Sequence, residues 1–178
     1  MDFDGAGWVV GRVDLMPVAE AWSVLSPDPE ARVDEARWAH VATAFFRVDL
    51  GVVQKKSYAS GATPLADALE VDVGWRGGAT TRVRMVTVPF DRADAVRAAA
   101  ARSVAAIGGA GMDALVARAK RVWQVRAAVE EGGDARAPLA LAAVLAAALQ
   151  APIVPPDEVA IFGVKGARER LEARGLRA

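Results

Sequence analysis

Few residues in this chain are equipped for covalent or proton chemistry. There is no cysteine and a single histidine, His40, which excludes disulfides, thiolate catalysis and sulfur-ligated metals. A zinc site would have to rest on carboxylates, and a serine-histidine-acid relay would have to be built around His40. On a helix the neighbours of His40 at three and four residues are Ala36, Arg37, Thr43 and Ala44. None is an acid, so the imidazole reads as a residue on the border of an apolar face. If it acts, its partners come from elsewhere in the fold. Tyr58, flanked by Ser57 and Ser60, is the hydroxyl-bearing candidate to meet it.

The other candidates bind rather than react. In Phe162-Gly163-Val164-Lys165-Gly166-Ala167-Arg168 a predicted strand passes through glycine into a predicted helix. Such a turn presents backbone amides to an anion, and Lys165 and Arg168 add positive charge to Gly163 and Gly166. The spacing is not that of a P-loop or a dinucleotide fingerprint. Gly108-Gly109-Ala110-Gly111 follows a predicted helix instead of a strand, so it reads as a helix connector.

A third group comes from alternation. Arg12-Val13-Asp14-Leu15, Arg47-Val48-Asp49-Leu50, Glu70-Val71-Asp72-Val73 and Arg82-Val83-Arg84-Met85 all place charge on one side of a strand and apolar bulk on the other. The charged side is either a wet face laced with ion pairs or a groove where arginines grip an anion and carboxylates hold a cation.

These residues need elements to position them. Trp8 to Met16 reads as a strand, and Pro17 opens a predicted helix over Val18 to Leu25. Asp28-Pro29-Glu30 has the form of a helix start, which predicts a helix from Pro29 to about Ala42. From Phe45 the period becomes two, so a strand follows. Leu69 to Trp75 and Ala79 to Val88 form a hairpin around Arg76-Gly77-Gly78, with Gly78 as its left-handed residue. That turn puts Asp72 opposite Arg82, Glu70 opposite Arg84, Val71 opposite Val83 and Leu69 opposite Met85, so charge meets opposite charge and bulk meets bulk. A slip of one residue would turn the core face to water.

Downstream, Asp91 starts a helix carrying Val96, Ala100, Val104 and Ile107. After Gly111 comes another, with Met112, Leu115, Val116, Ala119, Val122 and Trp123 on its apolar side and Gly132-Gly133 as its stop. Pro138 to Gln150 is an Ala/Leu helix apolar on every side, which marks a core helix or a subunit interface. It falls short of the roughly 20 apolar residues that a membrane span needs. Val159 to Val164 reads as an interior strand, and Gly166 to Arg174 as a short charged helix.

The elements predict one α+β domain over 1–178, a two-layer sandwich whose mainly antiparallel sheet of about five strands is covered on one face by helices. With 53% hydrophobic residues there is ample material for its core. Twenty-two basic and twenty-two acidic residues cancel, which argues against a nucleic-acid partner. The acidic start Met1-Asp2-Phe3-Asp4 lacks the form of a secretory signal, so the expected location is the cytoplasm, without a membrane partner. Five tryptophans and the apolar helix lead to an expectation of homo-oligomers. The expected function is a self-associating domain that binds a small anionic ligand or a protein partner. One alternative is an enzyme acting on a phosphate- or carboxylate-bearing metabolite through Arg/Lys and carboxylate residues. Another is a structural assembly subunit. No pattern names a cofactor or a metal.

Overall fold

A computed structural model describes residues 15–53, 69–128 and 132–175. The hairpin forms in the predicted register: strands β3 (Leu69–Trp75) and β4 (Thr81–Pro89) pair antiparallel with Leu69 opposite Met85, Glu70 opposite Arg84, Val71 opposite Val83 and Asp72 opposite Arg82. The Gly78 amide donates to the Trp75 carbonyl at 2.8 Å. It is Gly77, not Gly78, that takes the left-handed backbone, at φ 77°, because the third position of this four-residue turn demands a positive φ.

Around the hairpin stand β1 (Trp22–Ser26), β2 (Val48–Val53), β5 (Arg121–Ala127) and the two-residue β6 (Ile153–Val154). Among the described residues they form a six-stranded sheet in the order β2-β3-β4-β5-β1-β6, and every pairing is antiparallel. The helices are α1 (Glu35–Val41), α2 (Asp94–Ala106), α3 (Met112–Ala117), α4 (Ala137–Leu149) and α5 (Val164–Ala173).

The Ala/Leu helix is core. In α4, Leu139, Leu141, Val144 and Leu145 are fully buried and share one apolar cluster with Val24, Val71, Val83, Met85, Trp123 and Val125 of the sheet. Each such leucine contributes about 1.5–3 kcal/mol of burial. Helices α1 and α5 enclose α4 from outside. Trp38 of α1 meets Trp123 of β5 edge to face at 5.6 Å. The apolar surface that suggested an oligomer is therefore hidden within its own chain. On the opposite face, Leu25, Val88, Val122 and Val154 pack with Val96, Ala99 and Ala100 of α2, so a helix covers that face at the β1, β5 and β6 end. The buried Gln124 side chain both accepts from the Met16 amide (2.9 Å) and donates to the Met16 carbonyl (3.1 Å), pinning the segment that leads into β1.

Several expected elements are corrected. Val18 to Leu25 is a single 3₁₀ turn, Val18–Glu20, followed by β1; Val24 and Leu25 point to opposite buried faces, a demand that a strand satisfies. Asp28 closes a local turn by accepting from the Glu30 amide at 2.9 Å. The real cap is Asp34, which accepts from the Arg37 amide at 3.0 Å, so the helix starts later than predicted. Asp91 lies in a 3₁₀ turn, Phe90–Arg92, and α2 begins at Asp94. The helix predicted through Trp123 stops at Ala117, and Val122 and Trp123 belong to β5. Val159 to Val164 is not an interior strand; Phe162 forms one bridge with Ile153 of the β6 edge. Within the strand predicted over Trp8 to Met16, Leu15 and Met16 are irregular, and the rest of that segment lies outside the described residues, as do Arg12, Asp14, Ser57, Tyr58 and Ser60.

Candidate functional site

The sequence candidates are scattered. His40 is exposed on α1. Lys165 and Arg168 point to solvent from α5, where each has an acid one turn on: Lys165 Nζ lies 4.0 Å from Glu169 and Arg168 Nε 3.4 Å from Glu172. Such exposed pairs are worth little, and neither side chain is among the residues that line the pocket described below. Gly166 serves packing. A Cβ there would stand 2.8 Å from the Phe162 Cβ, so only glycine lets α5 approach Phe162. Gly163 is the residue before α5 and has an extended backbone. In the glycine connector, Gly108, Gly109 and Gly111 all have positive φ, as a tight link between α2 and α3 requires.

On the charged sheet face, the cross-strand pairing is centred on Arg82. Arg82 donates from Nε to Asp72 Oδ1 at 2.9 Å and from Nη2 to Oδ2 at 3.2 Å, and Nη1 lies 3.5 Å from Glu70. The hydrogen bond to Asp72 is the main reason the guanidinium holds its proton more tightly than an ordinary arginine. Arg84 stands opposite Glu70 on one side and Arg126 on the other, while the ion pair to Glu70 comes from Arg82.

A different set of residues does converge. The β2–β3 register puts Val48 opposite Trp75, so one step beyond the strand ends Arg47 and Arg76 are neighbours. The backbone delivers Arg47 by an unusual route. Helix α1 widens into a single π turn, Ala42–Phe46, and closes on Arg47 with φ 54°, a left-handed conformation that costs a non-glycine residue about 1 kcal/mol or more.

From the other side comes Arg136, the residue before α4. The segment leading to it is fixed to β4, because Thr81 Oγ1 accepts from the Asp134 amide at 2.8 Å and a Cβ on Gly133 would stand 2.7 Å from Thr81 Cγ2. The Asp134 carboxylate accepts from Arg136 N and Nε at 2.9 Å and from Nη2 at 2.6 Å. This grip pulls the Asp134 carboxyl below the usual carboxylate range and raises Arg136, in both cases mainly through the side-chain hydrogen bond. It also lays the Arg136 guanidinium 4.6 Å from the centre of the Trp75 ring.

The result is an open pocket of about 590 Å³ lined by Thr43, Arg47, Asp49, Trp75, Arg76 and Arg136. Among the described residues, Arg136 has an acid partner, whereas Arg47 and Arg76 have none. Trp75 Nε1 is buried and, among the described residues, has no hydrogen-bond acceptor. The pocket thus gathers two guanidiniums that have no acid partner among the described residues. Arg47 and Trp75 were visible in the sequence as a charged-face residue and a turn-side aromatic. Arg76 and Arg136 were missed, and only the pairing of β2 with β3 could have linked the first of them to Arg47.

Among the described residues, no three acidic or histidine side chains gather to hold a metal, and no helix is long and apolar enough to cross a membrane. No protein-family model, curated protein or solved structure matches this chain.

Proposed function

We propose that this protein binds a small anionic ligand in the pocket formed by Arg47, Arg76, Arg136 and Trp75. One observation carries the reading: Arg47 and Arg76, each one residue beyond the Val48–Trp75 pair, line one pocket, and neither has an acid partner among the described residues. Like charges that share a pocket repel, and an anion accepting from both guanidiniums turns that repulsion into two charge-assisted hydrogen bonds. The left-handed backbone at Arg47 supports the same conclusion, since local strain of this kind concentrates at ligand sites.

The test is calorimetric titration and thermal shift of the full chain with inorganic phosphate, citrate and a panel of phosphorylated metabolites. The double variant Arg47→Ala/Arg76→Ala is expected to weaken the best anion about 30-fold, at about 1 kcal/mol for each exposed charge-assisted hydrogen bond removed. Arg47→Gly separates binding from folding: it relieves the left-handed backbone, keeps stability within about 1 kcal/mol of the parent, and still lowers affinity. Equal affinity in the double variant, or no response to any of these anions at millimolar concentration, sinks the reading.

A further inference from the structure

Asp49 is the feature of this pocket that anion binding leaves unexplained. It lines the same cavity as Arg47 and Arg76, it is exposed, and among the described residues its carboxylate makes no ion pair or hydrogen bond. Its cross-strand neighbour is Gly74, which has no side chain to cover the carboxylate. A negative group therefore stands open beside two uncommitted positive ones without joining them. A pocket built for a bare anion would be weakened by that carboxylate, which repels the ligand at short range.

We propose that the ligand is zwitterionic, with a phosphate or carboxylate held by Arg47 and Arg76 and an ammonium group docked on Asp49; this rests on the anion-binding reading above. Charge balance favours it. Arg136 is already matched by Asp134, so among the described residues the remaining lining charges are two positive and one negative. A phosphomonoester carries close to two negative charges at neutral pH; with an attached ammonium group it carries about one and leaves the occupied pocket near neutral.

Two matched probes decide it, ethyl phosphate and phosphoethanolamine, which share the phosphate and differ by the ammonium group. Each is titrated calorimetrically into the parent chain, the exposed-site variant Asp49→Asn and the double variant Arg47→Ala/Arg76→Ala. In the parent, phosphoethanolamine is expected to bind about tenfold more tightly, the value of one charged hydrogen bond. Asp49→Asn should erase that preference by weakening phosphoethanolamine while leaving ethyl phosphate equal or tighter. Ethyl phosphate binding as well as phosphoethanolamine in the parent, or a preference that survives Asp49→Asn, overturns the zwitterion proposal and leaves anion binding standing. Binding of neither probe overturns the zwitterion proposal, and binding indifferent to the double arginine variant brings down both.

Discussion

Lys165 and Arg168 on α5 carry the same charge as Arg47 and Arg76 at the end of the β2–β3 pair, yet they sit in opposite electrostatic settings. The α5 pair is neutralised by its own helix, with Glu169 and Glu172 one turn away. The pocket pair has no acid partner among the described residues and shares its cavity with an aromatic wall. In a chain whose basic and acidic residues balance, the mark of an anion site is a positive charge that no acid pairs with. The presence of lysine or arginine beside a glycine turn is a weaker mark, because short-range helix pairing cancels it.

Three substitutions sharpen the contrast beyond the arginine variants. Gly166→Ala has the largest expected effect on stability. Overpacking against Phe162 costs about 1–3 kcal/mol, against about 1 kcal/mol gained from helix propensity, for a net loss visible in urea unfolding. The anion response at the pocket should be unchanged; a loss of anion binding with the fold intact would move the site back to the α5 turn.

Asp134→Ala comes next, at about 1 kcal/mol for a partly exposed charged hydrogen-bond pair. It should also raise anion affinity by a few fold, because Arg136 loses its acid partner and adds an unmatched positive charge to the pocket. The same pair sets a pH dependence. The Asp134 carboxyl is depressed in the folded chain, so its contribution is fully present above the ordinary carboxylate value, about 4. It is lost as pH falls through the lower folded value. Comparing the acid unfolding of the parent and Asp134→Ala checks the sign: their stabilities should converge only at strongly acid pH, and convergence already at neutral pH would refute it.

The smallest effect belongs to Lys165→Ala/Arg168→Ala. Removing two solvent-facing residues of α5 should change stability by less than about 0.5 kcal/mol and leave anion titrations unaltered. A clear drop in affinity would erase the distinction between the two regions.

Legibility in the sequence followed the range of the interaction. The hairpin's register could be read to the residue, because its turn and its opposed pairs lie within one short stretch and agree with each other. The core helix could be read because an unbroken Ala/Leu run has no polar side to show to water. Arg121 to Ala127 could not, since Val122 and Trp123 continue the helical spacing set by Leu115, Val116 and Ala119, and only the alternation around Trp123 and Val125 betrays the change of period. Trp22 to Ser26 failed for the same reason, as a strand buried on both faces has no alternation at all. The pocket was the least legible part. Its arginines come from a π turn, a hairpin tip and the residue before α4, and nothing local connects position 47 to 76 or 136.

The place of β1 has a consequence for how the molecule is assembled. This strand lies between β5 and β6, both of which are supplied by the distant second half of the chain. Among the described strands, β1 precedes in sequence both of the strands that flank it, so its pairing waits on residues 121–127 and 153–154. The hairpin can close from local contacts, whereas this part of the sheet closes only over a long span of chain.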